Sequence, residues 1–184
     1  MYECPVCGSA DLTAKPYATW PPPNGAMLTP PYEDLLGRPS YEVCPTCDFE
    51  FGNDDNPGGP ASPASFADYR AEWLTTLAAI AETVIGFFAE HEVASLRLPS
   101  GWFGRPHDNW HQLTEAATEG GAVLIRLDDE QVLTLRAEAT SLEGRVLRVT
   151  IRGGRWDWTE YGGDQKRTEV LGRGTVEFHA LFHR

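Results

Sequence analysis

The chain has 184 residues, 41% of them hydrophobic and 23% charged, which is the composition of a globular protein long enough for one or two domains. Its formal charge is −12, and residues 1–60 hold nine acids against two bases, so nucleic acid is excluded as a partner and a basic protein fits better. The first twenty residues lack a basic start and an apolar h-region, and no uninterrupted apolar run approaches bilayer length, so a cytoplasmic protein with no membrane partner is expected.

The chain opens on YECPVCG, and residues 41–52 repeat the theme as YEVCPTCDFEFG. These two stretches hold all four cysteines, Cys4 with Cys7 and Cys44 with Cys47. Each CxxC turn aims two sulfurs and several backbone N–H groups at one point, and two such turns complete a tetrahedron. The spacing therefore predicts one structural zinc per chain, held by Cys4, Cys7, Cys44 and Cys47. Such a site has no open position for water or substrate and serves to fold a segment too small for its own core. Pro5 and Pro45 fix φ after the first cysteine of each pair. Gly8 follows the first pair, where the turn needs positive φ, and Asp48 takes the equivalent place in the second. Three other readings use the same cysteines. Two disulfides need an oxidising compartment, for which nothing in the sequence argues. A thioredoxin-like CxxC needs a βαβ context, which is absent. An iron centre uses the same four sulfurs and stays open beside zinc.

In YECPVCG, SYEVCPTCDFEFGNDDNPG and SFADYRAEWL the chain resembles the small bacterial cysteine-rich CPCC-type zinc ribbons over residues 1–75. That family has adjacent cysteines in its first pair, whereas Gly8 follows Cys7 here, so an extra thiol is missing while both outer ligands remain. The resemblance implies a zinc-binding fold, and an association with toxin and immunity systems seen for some relatives.

Between the pairs, residues 15–39 hold seven of the fourteen prolines, a density that forbids regular helix or central strand. The segment is an insertion whose Tyr17, Trp20 and Tyr32 either form a recognition arm or, the preferred reading, pack back onto the ribbon. NDDNPGGPASPAS at 53–65 carries the punctuation of a linker, and its acids lack the alternating spacing of a calcium loop. Ser65 with Asp68 then resembles a capping box, and Phe66, Tyr69, Trp73, Leu77, Ile80, Val84 and Phe87 recur at helical spacing to about Glu90, with a break expected at Gly86.

From residue 92 the period changes to two. VASLRL, GAVLIRLD, QVLTLRAEA, RVLRVTIRG, RWDWTEYG and GTVEFHAL predict five to seven antiparallel strands. Val132, Thr134 and Arg136 should face away from Leu133, Leu135 and Ala137. LPSGWFGRPHDNWHQLTE at 98–115 sets His107 and His111 four apart, as in an HExxH zinc motif with Asp108 for Glu, but Pro106 and Asn109 argue for a loop and Asp is too short by one methylene. GWFGRPHDN and RWDWTEYGG also resemble uncharacterised actinobacterial proteins, a likeness that implies no activity.

The expected architecture is α+β: a zinc ribbon with its Pro-rich insertion over 1–60, a linker and amphipathic helix over 61–91, and an antiparallel β barrel or sandwich over 92–184. The preferred function is a non-enzymatic zinc-binding module that displays an acidic face to a protein partner, such as a basic toxin. The alternative is a small-ligand-binding protein or metal-dependent hydrolase, with Trp102, Arg105, His107, His111, Trp156, Trp158 and Tyr161 as its candidate ligand-binding residues.

Overall fold

The computed structural model describes residues 1–99, 101, 103–104, 115–128, 131–159 and 165–181. They belong to two compact units, Met1–Leu74 and Thr75–Arg184.

The first unit has little regular structure. Helix α1 (Glu33–Leu36) is a single turn, and isolated antiparallel bridges join Tyr2 to Leu12, Tyr17 to Pro39 and Val43 to Glu50. Side chains supply what ladders do not. Val6, Leu12, Tyr17, Tyr32, Leu36, Phe49 and Phe51 are buried together with Phe66, the first residue of helix α2 (Phe66–Glu90). Phe66 stacks on Tyr32 at 3.9 Å and meets Phe49 edge-on at 5.4 Å, and its N–H donates to the Tyr32 hydroxyl at 2.8 Å. Aromatic rings deliver the largest apolar area per residue, which is how a short, strand-poor segment makes a core.

The Pro-rich insertion lies on this core. Its two ends pair through Ala18 N–H to Arg38 C=O (3.0 Å), Thr19 N–H to Leu36 C=O (2.8 Å) and Ser40 N–H to Pro16 C=O (3.0 Å). Tyr17 and Tyr32 are 1% and 2% exposed, and Trp20 packs against Phe66 at 6.3 Å, so these aromatics build the core of the first unit and do not form an arm. The stretch 53–65 also lies inside the first unit. Asp55 is fully buried, and its carboxylate accepts N–H groups of Tyr32 (3.1 Å) and Gly52 (2.8 Å). Asp54 accepts from Glu50 N–H at 2.7 Å, and its own carbonyl accepts from Ala64 N–H at 2.8 Å. A flexible linker would leave these groups to water; here they tie the chain to itself.

Helix α2 starts where the sequence places it. Ser65 Oγ accepts the Asp68 N–H at 3.0 Å and donates to the Asp68 carboxylate at 2.6 Å. Gly86 does not interrupt it: the helix runs unbroken for 25 residues. By length and composition it is also the one helix among the described residues long and apolar enough to cross a membrane, with a mean hydropathy of 1.3 in its best window. The unit boundary at Leu74 falls within it, so each unit takes part of its apolar stripe.

In the second unit Leu77, Ile80, Ala81, Val84, Phe87 and Phe88 of α2 are buried. The strands are β1 (Val93–Arg97), β2 (Phe103–Gly104), β3 (Glu115–Glu119), β4 (Ala122–Asp128), β5 (Gln131–Glu143), β6 (Val146–Thr159), β7 (Lys166–Leu171) and β8 (Gly174–Ala180). They form one antiparallel sheet of order β2-β1-β8-β6-β5-β4-β3, with β7 also paired to β6. The long β6 runs beside β5 on one edge; on the other it pairs with β8 over 146–151 and with β7 over 154–159. The expected barrel is not closed, and there is no second sheet among the described residues: β2 and β3 end the order without pairing to each other. The physical reason is that helix side chains cover the apolar face, as where Phe88 meets Phe178 at 5.3 Å, so that face needs neither closure nor a second sheet.

Alternation on β5 follows expectation, with Leu133, Leu135 and Ala137 buried and Val132, Thr134 and Arg136 on the other face. On β6 it does not run straight through. Arg136 lies opposite Gly153, Ala137 opposite Ile151 and Ala139 opposite Thr150, which leaves Glu138 and Arg152 as extra residues, ion-paired at 2.6 Å. Each extra residue inverts the facing of the residues after it. The buried set on β6 therefore passes from Leu147, Val149 and Ile151 to Trp156, and one strand of 14 residues reads in sequence as two.

Candidate metal centre

The two cysteine turns have the same construction. In the first, Gly8 N–H donates to Cys4 C=O at 2.8 Å and Cys4 N–H to Ser9 C=O at 2.8 Å; in the second, Asp48 N–H donates to Cys44 C=O at 2.9 Å and Cys44 N–H to Phe49 C=O at 3.0 Å. Closing each turn this way requires a left-handed residue just after the second cysteine, and Gly8 (φ 77°) and Asp48 (φ 64°) provide it. A Cβ on Gly8 would come no nearer than 3.9 Å to a neighbour, so conformation and not space calls for glycine there.

The turns bring four free cysteines together, three buried and Cys7 partly exposed, with all four sulfurs within 4.8 Å of one another. Cys4 Sγ lies 3.8 Å from Cys47 Sγ, and Cys7 Sγ 3.7 Å from Cys44 Sγ. These are far beyond a disulfide length of about 2.05 Å. They match the edge of a tetrahedron with metal–sulfur bonds of about 2.3 Å, which is about 3.8 Å. The donor set and its geometry are thus compatible with one tetrahedral cation.

The electrostatics suit the same role. The Cys4 thiol beside Cys7, the largest influence on it, draws Cys7 down to about 7, and Cys44 is held well below the ordinary thiol range by its three sulfur neighbours, Cys4 first. Cys4 and Cys47 are pushed up, chiefly by the Cys44 thiol and the Cys4 thiol respectively. Four thiolates this close repel one another unless a cation lies among them. Backbone N–H groups aimed at sulfur soften that charge: Cys7 N–H toward Cys4, Cys47 N–H toward Cys44 and Phe49 N–H toward Cys47. The Ser9 hydroxyl lies 3.3 Å from Cys7 Sγ and 3.7 Å from Cys44 Sγ.

Supporting residues come from elsewhere in the unit. Tyr69 donates its hydroxyl to Cys47 C=O at 3.2 Å, and Arg70 Nη1 donates to Val6 C=O at 3.1 Å, so the start of α2 ties down both turns. Burial, then the Asp54 carboxylate, pushes the Tyr69 hydroxyl up to about 12, which keeps it a donor at neutral pH. Glu42 accepts from Thr13 N–H (2.7 Å), Thr13 Oγ1 (2.8 Å) and Ala14 N–H (2.9 Å), and locks the segment after the first turn to the entry of the second. Ser9, Glu42 and Arg70 carry no spacing signal for this role, and Tyr69 was legible only as part of the helical stripe.

The other candidate residues do not form a described cluster. Trp102, Arg105, His107, His111 and Tyr161 lie outside the described residues. Trp156 and Trp158 stack on each other at 4.2 Å along β6, with Trp156 buried and Trp158 half-buried. Compared with family models, curated proteins and solved structures, the chain matches none. The likeness to CPCC-type ribbons therefore rests on the quoted residues alone.

Proposed function

We propose that the first unit is a zinc ribbon with one zinc bound by Cys4, Cys7, Cys44 and Cys47, and that the chain is a non-enzymatic, cytoplasmic bacterial protein-interaction module of the toxin-neutralising, immunity-like kind. The observation that carries the reading is the meeting of the chain's only four thiols, all within 4.8 Å of one another. Four protein ligands fill a zinc coordination shell, so the metal serves folding and not catalysis. The polar groups around it point the same way: Asp55, Glu42, Tyr32 and Tyr69 all hold backbone groups in place. The partner side of the proposal is supported by Tyr2, Met27, Leu35, Tyr41 and Val43, apolar residues exposed in a region with nine acids to two bases over 1–60. Such a surface suits a basic partner that also offers apolar contact.

Elemental analysis tests the metal: one equivalent of zinc supports the proposal, and iron, which colours a four-sulfur site strongly, replaces it. Replacing His107 and His111 together with Gln should leave the count at one, whereas a fall from two to one would favour the hydrolase alternative. The partner is tested by a basic protein that binds the chain, releases with salt and is lost in a Tyr41→Ser, Val43→Ser variant; unchanged capture by that variant removes the proposed surface.

A further inference from the structure

The solvent-side face of the second unit's sheet holds a cavity of about 410 Å³ across β4, β5, β6 and β7. Its walls include Arg126, Arg155 and Lys166, its floor Leu124 and Val132, and Asp157 is the one acid among its described lining residues. The ladder register explains the arrangement. Arg126 lies opposite Val132, Val132 opposite Asp157, and Asp157 opposite Thr168, one row across four strands. The next rows place Leu124, Thr134 and Arg155 together on one side and Thr159 with Lys166 on the other. With neighbouring strands about 4.8 Å apart, the three cationic side chains stand around Val132 within about 15 Å, inside their combined reach.

Charge on this face runs against that of the whole chain. The acids number 27 and the Lys and Arg residues 15, yet the described lining of the cavity has three cations to one acid. That acid is already engaged, with Arg155 Nε at 2.6 Å and Thr168 Oγ1 at 2.6 Å. Glu115 of β3 reaches Arg126 at 3.4 Å, in an exposed pair of the kind that holds little free energy. Lys166 is exposed and has no ion-pair partner among the described residues. The acidic excess of the chain does not call for a concentration of cations over an apolar floor.

We propose that this cavity binds a small organic anion, its carboxylate or phosphate head held by Lys166, Arg155 and Arg126 and its apolar body lying on Leu124 and Val132. The volume is that of a small-molecule site, and guanidinium groups bind either head by paired N–H donors. Asp157 positions Arg155 and sets an upper limit on the charge the cavity takes. The site is independent of the zinc reading, since every residue in it belongs to the second unit.

The test is an amide NMR titration of the full chain, metal retained, with benzoate, phenyl phosphate, inorganic phosphate and neutral benzamide. Saturable shifts centred on Leu124, Val132, Asp157 and Thr168 are expected with benzoate or phenyl phosphate, and the tighter of the two identifies the head group. The Arg155→Gln, Lys166→Gln double variant should bind about tenfold more weakly or worse, since two charge-assisted contacts are lost. Lys166→Gln alone, an exposed change that leaves the fold intact, should weaken binding in the same direction. Absence of saturation with both organic anions, benzamide binding as tightly as benzoate, or full affinity in the variants overturns the proposal. Inorganic phosphate binding as tightly as phenyl phosphate overturns the apolar half of it.

Discussion

Gly8 and Asp48 occupy equivalent left-handed positions in two copies of one turn, and their difference is measurable. An L side chain in that conformation costs about 1–2 kcal/mol, with Asn and Asp penalised less because their short polar groups bond locally. Gly8→Ala should therefore destabilise the first unit by about 1 kcal/mol in denaturant unfolding, and Gly8→Asp by less. An equal loss for both would mean that sterics, and not φ, govern the site. Titration gives a second residue-scale expectation. The Arg148 guanidinium at 2.8 Å, against the opposing effect of burial and with help from His179, holds the Glu177 carboxyl below the usual carboxylate range. Burial pushes Glu42 up, but its hydrogen bonds from Thr13 and Ala14 outweigh this and bring it down. A carboxyl depressed in the folded state stabilises above its unfolded value of about 4.3 and ceases to do so as pH falls through the folded one. Sheet stability, followed by circular dichroism, should thus decline below about pH 4.3, and more gently in Glu177→Gln. An unchanged acid profile in that variant would remove Glu177 from the account. The cysteines and the positive-φ places were legible because their chemistry depends on residue type at fixed spacing. Glu42, Tyr69 and Arg70 were not, because their partners are backbone groups far away in sequence.

Elements were legible where one face is apolar and the chain regular. Helix α2 kept its expected start and its stripe, and β4, β5 and β8 their alternation. β7 was missed because it carries Lys166, Arg167 and Thr168 at exposed positions and buries only Leu171, and β3 because no residue of it is fully buried. β6 read as two strands because Arg152 is an extra residue that inverts its pattern midway, an effect of pairing that one strand alone cannot reveal. Two glycines test these elements in opposite directions. A Cβ on Gly154 would lie 2.5 Å from the Thr134 carbonyl oxygen, so Gly154→Ala should cost about 1–3 kcal/mol by forcing β5 and β6 apart. Gly86 lies inside α2 with nothing within 4 Å of an added Cβ, so Gly86→Ala should stabilise by about 0.5–1 kcal/mol. Thermal unfolding of the two variants checks both, and shifts of the same sign would contradict this view of the backbone.

For the whole molecule, the α+β class followed from the change of period near residue 92, while barrel closure is a property of strand ends and helix cover on which periodicity is silent. The division into units lies within α2 and not at the Gly- and Pro-rich stretch, because Asp54, Asp55 and Phe66 draw residues 53–66 into the first core. The first unit has one turn of helix before α2 and three isolated bridges, so its fold depends on the sulfur centre in a way that the eight-stranded sheet does not. Cys44→Ser should therefore unfold the segment before Leu74 and leave the strand signal of Thr75–Arg184 in circular dichroism. Loss of all strand signal would show a single cooperative unit. The most direct measurement is the metal content of the purified full chain together with its intact mass. One zinc per chain, with the mass of four unbridged cysteines once the metal is removed, is the result expected; a metal-free protein four hydrogens lighter, carrying two disulfides, would contradict the account.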